Sequence, residues 1–279
     1  MIRRAFDALL LDLDGTLVTA QDRIHPRTRE ALRAAVARGV HVRIATGRSE
    51  LATIPVLEDL GLEEPAVVFN GAGVWCPLRR EFLEERVLSE RTLRRSVAYG
   101  LERGLLTVTM GAGRKHALQP RREAEQLALS EMTGLHFVEP GELLGRRTIR
   151  VTLFSDEHAT SQALADDIER AVSQPVYLTH FPLNVLAHHR SSRLLVADVH
   201  PPCRGKAEAL RLLREEHGVA PERVVAVGDA SNDVPMLLAA GLGVAVEGSM
   251  REALEVADRV IGAAETDALG LLVEELFLD

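Results

Sequence analysis

The chain has 279 residues, of which 46% are hydrophobic and 27% charged, and its net charge is −8 at pH 7. This length can hold a full core and a second domain, while the acidic balance argues against a general nucleic-acid binder, which needs a basic face. No apolar stretch reaches the roughly 18–20 residues that span a bilayer, and two cysteines without a signal peptide predict a cytoplasmic protein.

The first predicted element is a strand that begins at Leu9 and runs into the sequence Asp12-Leu13-Asp14-Gly15-Thr16. Its apolar run is typical of a strand buried on both faces in a parallel sheet. Because side chains alternate along a strand, Asp12 and Asp14 are predicted to point the same way at its carboxyl end, where open α/β sheets bind ligands. Two carboxylates this close are stable when a cation lies between them or when one is protonated.

Further polar groups follow along the chain at strand ends or helix starts of the same predicted sheet. They are Thr46-Gly47-Arg48 after the strand Val40–Ala45, Asn70 at the end of the strand Ala66–Asn70, Lys206 before the helix Ala207–Glu216, and Asp229, Asn232 and Asp233 after the strand Val224–Val227. An α/β fold gathers its active-site groups at such positions, so we expect these side chains to meet.

The interval between Thr46 and Lys206 leaves room for a second domain of roughly a hundred residues. Its mixed elements predict an open sheet with helices on one side. The predicted helices are 89–103, 121–133 and 157–172, and the predicted strands are 105–110, 114–118, 148–154, 176–179, 183–187 and 194–199.

Four of these groups together resemble the motifs of the haloacid dehalogenase (HAD) superfamily. In order, the motifs are Asp12-Leu-Asp14-Gly-Thr, Thr46, Lys206 and Gly228-Asp229-x-x-Asn232-Asp233. Ala45-Thr46-Gly47-Arg48 and Phe69-Asn70-Gly71-Ala72 are similar to the Cof-type branch, class IIB. The resemblance implies an α/β fold with a Rossmann-like three-layer core and parallel sheet (1–82 and 199–279), and an inserted α+β cap of the C2 type (83–198). It covers the core alone, because the middle of the chain carries no matching motif.

The resemblance also implies a phosphatase that hydrolyses a small phosphorylated metabolite, with sugar phosphates favoured. Asp12 is then the nucleophile that forms an aspartyl-phosphate, and Asp14 the general acid and base, with a raised pKa in its first role. Mg²⁺ is expected among Asp12, the backbone carbonyl of Asp14, and Asp229.

The remaining motif residues are assigned by the same resemblance. Thr46 and the Gly47 amide are expected to donate to the phosphate, and the Lys206 ammonium to meet a phosphoryl oxygen and a carboxylate. Asn232 and Asp233 are expected to hold metal ligands or Lys206 in place. Arg48 can reach the substrate or the cap, or order local structure, and Asn70 can contact substrate or serve a turn.

One loop departs from the Cof-type pattern, which commonly has Gly-Asn-Ala after the fifth core strand. This chain has Val246-Glu247-Gly248-Ser249 there, so we expect altered specificity with activity retained. Two other functions stay open: a phosphotransferase or phosphomutase acting on sugar phosphates, and a non-catalytic regulator that binds them. The expected partner is a small phosphate ester, with no membrane or nucleic acid, and both monomer and dimer stay open.

Overall fold

The computed structural model describes residues 5–19, 21, 23–130, 132–186 and 189–279. Fourteen strands lie in these ranges: β1 (Ala8–Leu11), β2 (His41–Ile44), β3 (Ala66–Val68), β4 (Gly73–Cys76), β5 (Glu81–Glu85), β6 (Leu106–Gly111), β7 (Arg114–Ala117), β8 (Leu135–Phe137), β9 (Arg150–Ser155), β10 (Tyr177–Pro182), β11 (Leu195–His200), β12 (Val224–Gly228), β13 (Leu242–Val246) and β14 (Arg259–Ile261). The same ranges contain nine α-helices: α1 (Pro26–Ala37), α2 (Glu50–Leu60), α3 (Glu90–Glu102), α4 (Glu123–Leu129), α5 (Ser161–Val172), α6 (Glu208–His217), α7 (Val234–Ala239), α8 (Arg251–Val256) and α9 (Ala268–Val273). No helix of the described part is both long and apolar enough to cross a membrane.

The chain forms two compact units, of which the first comprises Met1–Glu84 and Arg204–Asp279. Its main sheet has five parallel strands in the order β14-β13-β12-β1-β2. All four residues of β1 are fully buried, as expected for a central strand covered on both faces. The predicted α/β core with a parallel sheet is therefore confirmed.

Register in this sheet brings the predicted site segments to one edge. Leu11, the last residue of β1, pairs with Ile44 of β2 and with Val227 of β12. Because the strands are parallel, the residues that follow them leave the sheet at the same end. A parallel bridge between Ala45 and Val67 brings β3 beside β2, so the turn after β3 reaches this end too.

The second unit, Glu85–Cys203, contains a six-stranded sheet in the order β10-β11-β9-β6-β7-β8. Its strand pairs are antiparallel except for β7 with β8. The helices α3 and α5 pack on it through an apolar cluster that includes Leu93, Leu164 and Ile168. Ser89 and Thr160 cap these helices by accepting from the Thr92 and Ala163 amides, as side-chain caps do.

Several predicted elements differ from the structure. Residues 183–185 form a 3₁₀ turn instead of a strand, because Asn184 and Val185 are exposed and give a strand no buried face; the predicted end of that strand, Ala187, lies outside the described residues. Helix α4 covers only Glu123–Leu129, since its Glu125 carboxylate accepts from the Arg121 amide and holds that residue outside the helix.

The structure also adds strands that the sequence interpretation omitted and shifts others. The strands β4, β5, β8 and β14 were not predicted, and β3 ends at Val68, ahead of the predicted end at Asn70. The predicted division at 198/199 falls inside β11, whereas the second unit extends to Cys203. The role of this unit as a substrate-specificity cap stays a prediction.

Candidate active site

Asp12 follows β1 directly and is 3% exposed. Its amide donates to the Val227 carbonyl at 3.0 Å, which continues the β1–β12 pairing and fixes the start of the loop. The next turn contains Gly15 at φ +80°, where a Cβ would lie 2.5 Å from Asp229 Oδ2. Glycine is thus required both by the left-handed backbone and by the close approach of Asp229.

Lys206 connects the first and last predicted motifs. Its Nζ donates to Asp12 Oδ1 at 2.6 Å and to Asp233 Oδ1 at 2.7 Å, and only 2% of the residue is exposed. Burial alone would lower the pKa of Lys206, but the two carboxylates outweigh it and hold the pKa above its ordinary value. The buried ammonium therefore stays charged beside Asp12.

Asp233 is completely buried, and its two oxygens have separate partners. Oδ1 accepts from Lys206, while Oδ2 accepts from the Asp229 amide at 3.1 Å and the Ala230 amide at 3.0 Å. A Cβ on Gly228 would lie 2.5 Å from Asp233 Cγ, so this loop also needs glycine. Asp233 thus contacts both the Lys206 ammonium and the backbone of the Asp229 loop.

Asp12, Asp229 and Asp233 each have a carboxylate oxygen within 4.8 Å of the others. Burial, together with the charge of Asp233, raises the pKa of Asp229 to about 6. Burial also raises the pKa of Asp12 well above its ordinary value, and the neighbouring carboxylates add to this effect. Such crowding is relieved when a cation binds among the carboxylates.

The donor set of this cluster consists of oxygen atoms. Asn232, the residue before Asp233, has an Oδ1 that is buried without a hydrogen-bond donor among the described residues. Hard divalent cations with oxygen ligands, Mg²⁺ above all, suit such a set. The residues present therefore fit a divalent metal.

Thr46 follows β2 and is fully buried. Its amide donates to the Val67 carbonyl, its carbonyl accepts from the Asn70 amide, and its Oγ1 accepts from the Arg48 amide at 3.1 Å. The hydroxyl keeps its own proton available for donation. These hydrogen bonds fix the backbone on both sides of Thr46.

Asn70 lies in a turn after β3 with left-handed backbone angles, φ 51° and ψ 42°, which asparagine tolerates better than most residues. Its Oδ1 accepts from Asn232 Nδ2 at 2.9 Å. A Cβ on Gly47 would lie 3.1 Å from the same Oδ1, and a Cβ on Gly71 would lie 2.2 Å from the Gly205 carbonyl oxygen. The Asn70 turn is therefore held between the Thr46 segment, Asn232 and the turn that carries Lys206.

Asp14 differs most from its predicted placement. β1 ends at Leu11, so strand alternation does not set the direction of either aspartate, and Asp14 lies in the following turn with 47% of its side chain exposed. Arg48 Nε donates to its Oδ2 at 2.9 Å and to its Oδ1 at 3.2 Å. This ion pair was not foreseen, because no local signal relates a residue after β1 to one after β2.

The loop that departs from the Cof-type pattern folds back on itself. Gly248 has φ +87°, and Ser249 Oγ donates to the Val246 carbonyl at 2.6 Å. The next amide, of Met250, donates to the Asp229 carbonyl at 2.7 Å. The loop therefore supports the backbone of Asp229, a contact that the sequence alone did not indicate.

Comparison with known proteins decides the family. The family model for haloacid dehalogenase-like hydrolases matches residues 9–272 of this sequence. The chain belongs to this family. The HAD resemblance predicted from the four motifs is thereby confirmed, and the motif residues lie at one edge of the HAD core.

Individual relatives are distant. The chain is 27% identical over 290 residues to the pyridoxal phosphate phosphatase YbhA of Escherichia coli, with 95% of this chain and 96% of that protein covered. It is 27% identical over 270 residues to the chloroplastic endoribonuclease YBEY of Arabidopsis thaliana, where the match covers 93% of this chain and 44% of that protein. The HAD subclass IIB sugar phosphatase BT4131 has the same fold, with a TM-score of 0.80, 22% identity, and coverage of 96% of this chain and 98% of that one.

Proposed function

We propose that this HAD-family phosphatase is Mg²⁺-dependent and hydrolyses a small phosphorylated metabolite, with sugar phosphates the first class to test, through an aspartyl-phosphate on Asp12. The observation that carries the proposal is the buried contact of Lys206 with Asp12 and Asp233 beside Asp229. A charged lysine there holds one oxygen of Asp12 and offers positive charge to an incoming phosphoryl group.

In the proposed first step, the second carboxylate oxygen of Asp12 attacks phosphorus in line with the leaving oxygen. The phosphorus–oxygen bond to the leaving alcohol breaks, and Asp14 gives that alcohol its proton. In the second step Asp14 takes a proton from water, which attacks the phosphorus and releases inorganic phosphate and the Asp12 carboxylate.

The ion pair of Asp14 with Arg48 bears on these proton transfers. Half of the Asp14 side chain is exposed, so it exchanges protons directly with water. A neutral carboxyl keeps only part of its attraction for a guanidinium, and we therefore expect the pair to open when Asp14 is protonated. Arg48 is then able to contact the substrate, one of its two predicted roles.

Asp12, the Asp14 backbone carbonyl and Asp229 would hold Mg²⁺, which when bound neutralises charge on the phosphoryl oxygens. The Thr46 hydroxyl and the Gly47 amide would donate to the phosphate. Asn70 and Asn232, already joined by a hydrogen bond, would place their amides beside it.

The names of relatives support a small phosphate ester as the substrate, since one is a pyridoxal phosphate phosphatase and a protein of the same fold is a sugar phosphatase. We propose that the unit Glu85–Cys203 selects the leaving group, as a C2-type cap does. A cytoplasmic location follows from the composition and stays a prediction.

The test uses p-nitrophenyl phosphate, whose leaving group needs no protonation, with and without Mg²⁺. Asp12→Asn should give no product, because the nucleophile is gone. Asp14→Asn should give one equivalent of nitrophenolate and then almost none, because water is no longer activated. Asp59→Asn, which removes an exposed aspartate paired with Arg29, is the matched control and should behave as the wild type.

A panel of sugar phosphates and cofactor phosphates then gives the substrate class. EDTA should abolish release, and added Mg²⁺ should restore it. Full turnover by Asp12→Asn would overturn the assignment of the nucleophile. A burst from the wild type that turns over only when a sugar alcohol is added would favour the phosphotransferase, and phosphate binding without any burst would favour the regulator.

A further inference from the structure

We propose that His41, Glu64 and His217 form a second metal site, which takes a transition-metal ion of the Zn²⁺ type. Each of these residues belongs to the first unit and offers one ligand atom within 4.8 Å of the other two. None of them belongs to the HAD motifs, and the proposed hydrolysis does not use them.

Three separate elements bring these side chains together. His41 is the first residue of β2, Glu64 lies two residues before β3, and His217 is the last residue of α6. The two imidazole rings stack with centroids 3.8 Å apart and planes 21° apart. One nitrogen of each ring, His41 Nδ1 and His217 Nε2, faces Glu64.

The ligand atoms already converge on one carboxylate. His41 Nδ1 lies 2.7 Å from Glu64 Oε1, and His217 Nε2 lies 3.1 Å from Glu64 Oε2. Once the stacked rings turn so that both ring planes contain the ion, an ion that replaces the protons on these contacts would meet two imidazole nitrogens and a carboxylate oxygen. Binding requires each ring to carry its remaining proton on the nitrogen that faces away from the ion.

Arg43 orients the proposed ligand Glu64. Its side chain is fully buried, and its Nη2 donates to Glu64 Oε2 at 2.6 Å and to Glu216 Oε2 at 2.5 Å. Ligating carboxylates are commonly held by such outer hydrogen bonds. Glu64 and Glu216 carry two negative charges and Arg43 one positive charge. The three groups therefore have a net negative charge, which does not repel a divalent cation.

The site is open to solvent. Between 22% and 30% of the side chains of His41, Glu64 and His217 is exposed, which leaves a path for an ion and room for a water ligand.

Ligand chemistry separates this site from the acidic cluster at Asp12. Two imidazoles and one carboxylate are the ligand set of three-residue Zn²⁺ sites, whereas Mg²⁺ prefers oxygen. Register also separates the two places, because His41 pairs with Ala8 at the start of β1, whereas Asp12 follows its end. The strand between them spans about 10 Å.

The experiment is calorimetric titration of the full-length protein with Zn²⁺ in excess Mg²⁺, which reduces Zn²⁺ binding at the acidic cluster. We expect one site in the wild type and in Asp229→Asn. His41→Gln and His217→Gln should each weaken it at least about tenfold. His136→Gln, which alters an exposed histidine of the second unit, is the control and should bind as the wild type does.

X-ray absorption spectroscopy of the wild type loaded with Zn²⁺ identifies the ligand atoms of the ion. This second measurement does not depend on the folding of any variant. Scattering from imidazole rings supports the site, and a shell of oxygen alone overturns it. Absence of Zn²⁺ binding in the wild type, or binding lost in Asp229→Asn but kept in both histidine variants, also overturns it. Failure of the phosphatase assay leaves each of these outcomes unchanged.

Discussion

Lys206 Nζ lies 2.6 Å from Asp12 Oδ1, and both side chains are almost completely buried although 194 residues separate them in the chain. Lys206→Met removes the cation that Asp12 and Asp233 share. Because breaking a buried charge pair leaves carboxylates without compensation, we expect a loss of about 3–5 kcal/mol in the stability of the first unit. Urea unfolding followed by Trp75, the single tryptophan, reports on that unit.

The double variant Lys206→Met/Asp12→Asn separates charge from packing. It should regain part of the lost stability because one carboxylate is gone, yet it should still lack phosphatase activity. A Lys206→Met protein as stable as the wild type would contradict this account of the buried pair.

Gly71 and Gly61 both have left-handed backbones but differ in their surroundings. A Cβ at Gly71 would lie 2.2 Å from the Gly205 carbonyl oxygen, whereas nothing lies within 4 Å of a Cβ at Gly61. Gly61→Ala should cost about 1 kcal/mol through its backbone alone. Gly71→Ala should cost clearly more and reduce kcat, because it displaces the turn before Lys206. Equal losses in urea unfolding would mean that the close approach has no energetic role.

The hydrogen bond between Asn70 and Asn232 predicts non-additive kinetics. Asn70→Gly keeps the left-handed backbone but removes the amide, and Asn232→Ala removes the donor. Each variant alone breaks the contact, so the double variant should lose little more kcat/KM than either single one, with a coupling of about 0.5–3 kcal/mol. Losses that simply multiply would show that the two amides act independently.

His200 gives the second unit a pH-dependent stability. Complete burial, aided by the charge of Arg150, holds the pKa of His200 well below its ordinary value of 6.5. The unfolded chain therefore binds a proton that the folded chain does not, so stability is complete above pH 6.5 and falls as the pH drops below it. The expected loss between pH 7.5 and 5.5 is about 1.4 kcal/mol.

The two tyrosines of the chain, Tyr99 and Tyr177, both lie in the second unit and give its unfolding signal. His200→Gln should flatten the change with pH in urea unfolding, whatever its stability at pH 7.5. His136→Gln, at an exposed position, should keep the slope of the wild type. A slope unchanged in His200→Gln would assign the effect to another group.

The parallel core was predictable because its signals are local. The apolar run before Asp12 indicates a doubly buried strand, and the polar residues after each strand indicate the functional edge of the sheet. The contact of Lys206 with Asp233 was predicted only from the resemblance to the HAD motifs. No local rule relates a helix start to a loop 27 residues later.

Other features depend on tertiary contacts that no local pattern contains. Asn70 leaves the extended conformation because its turn packs against Gly205, and the residues 183–185 lose strand structure because their side chains find no buried face. The pairing of Arg48 with Asp14 joins segments from two strands, so the predicted direction of Asp14 could not be corrected from the sequence.

Central strand β1 pairs on one side with β2, about thirty residues later, and on the other with β12, more than two hundred residues later. On a ribosome, the two amino-terminal strands of this five-stranded sheet, β1 and β2, therefore emerge with an open, entirely apolar edge on β1. The second unit is synthesised in full before β12 arrives to cover that edge. Substitutions that slow translation or folding of the second unit thus extend the time in which β1 is able to pair with another chain, and they promote aggregation without touching the active site.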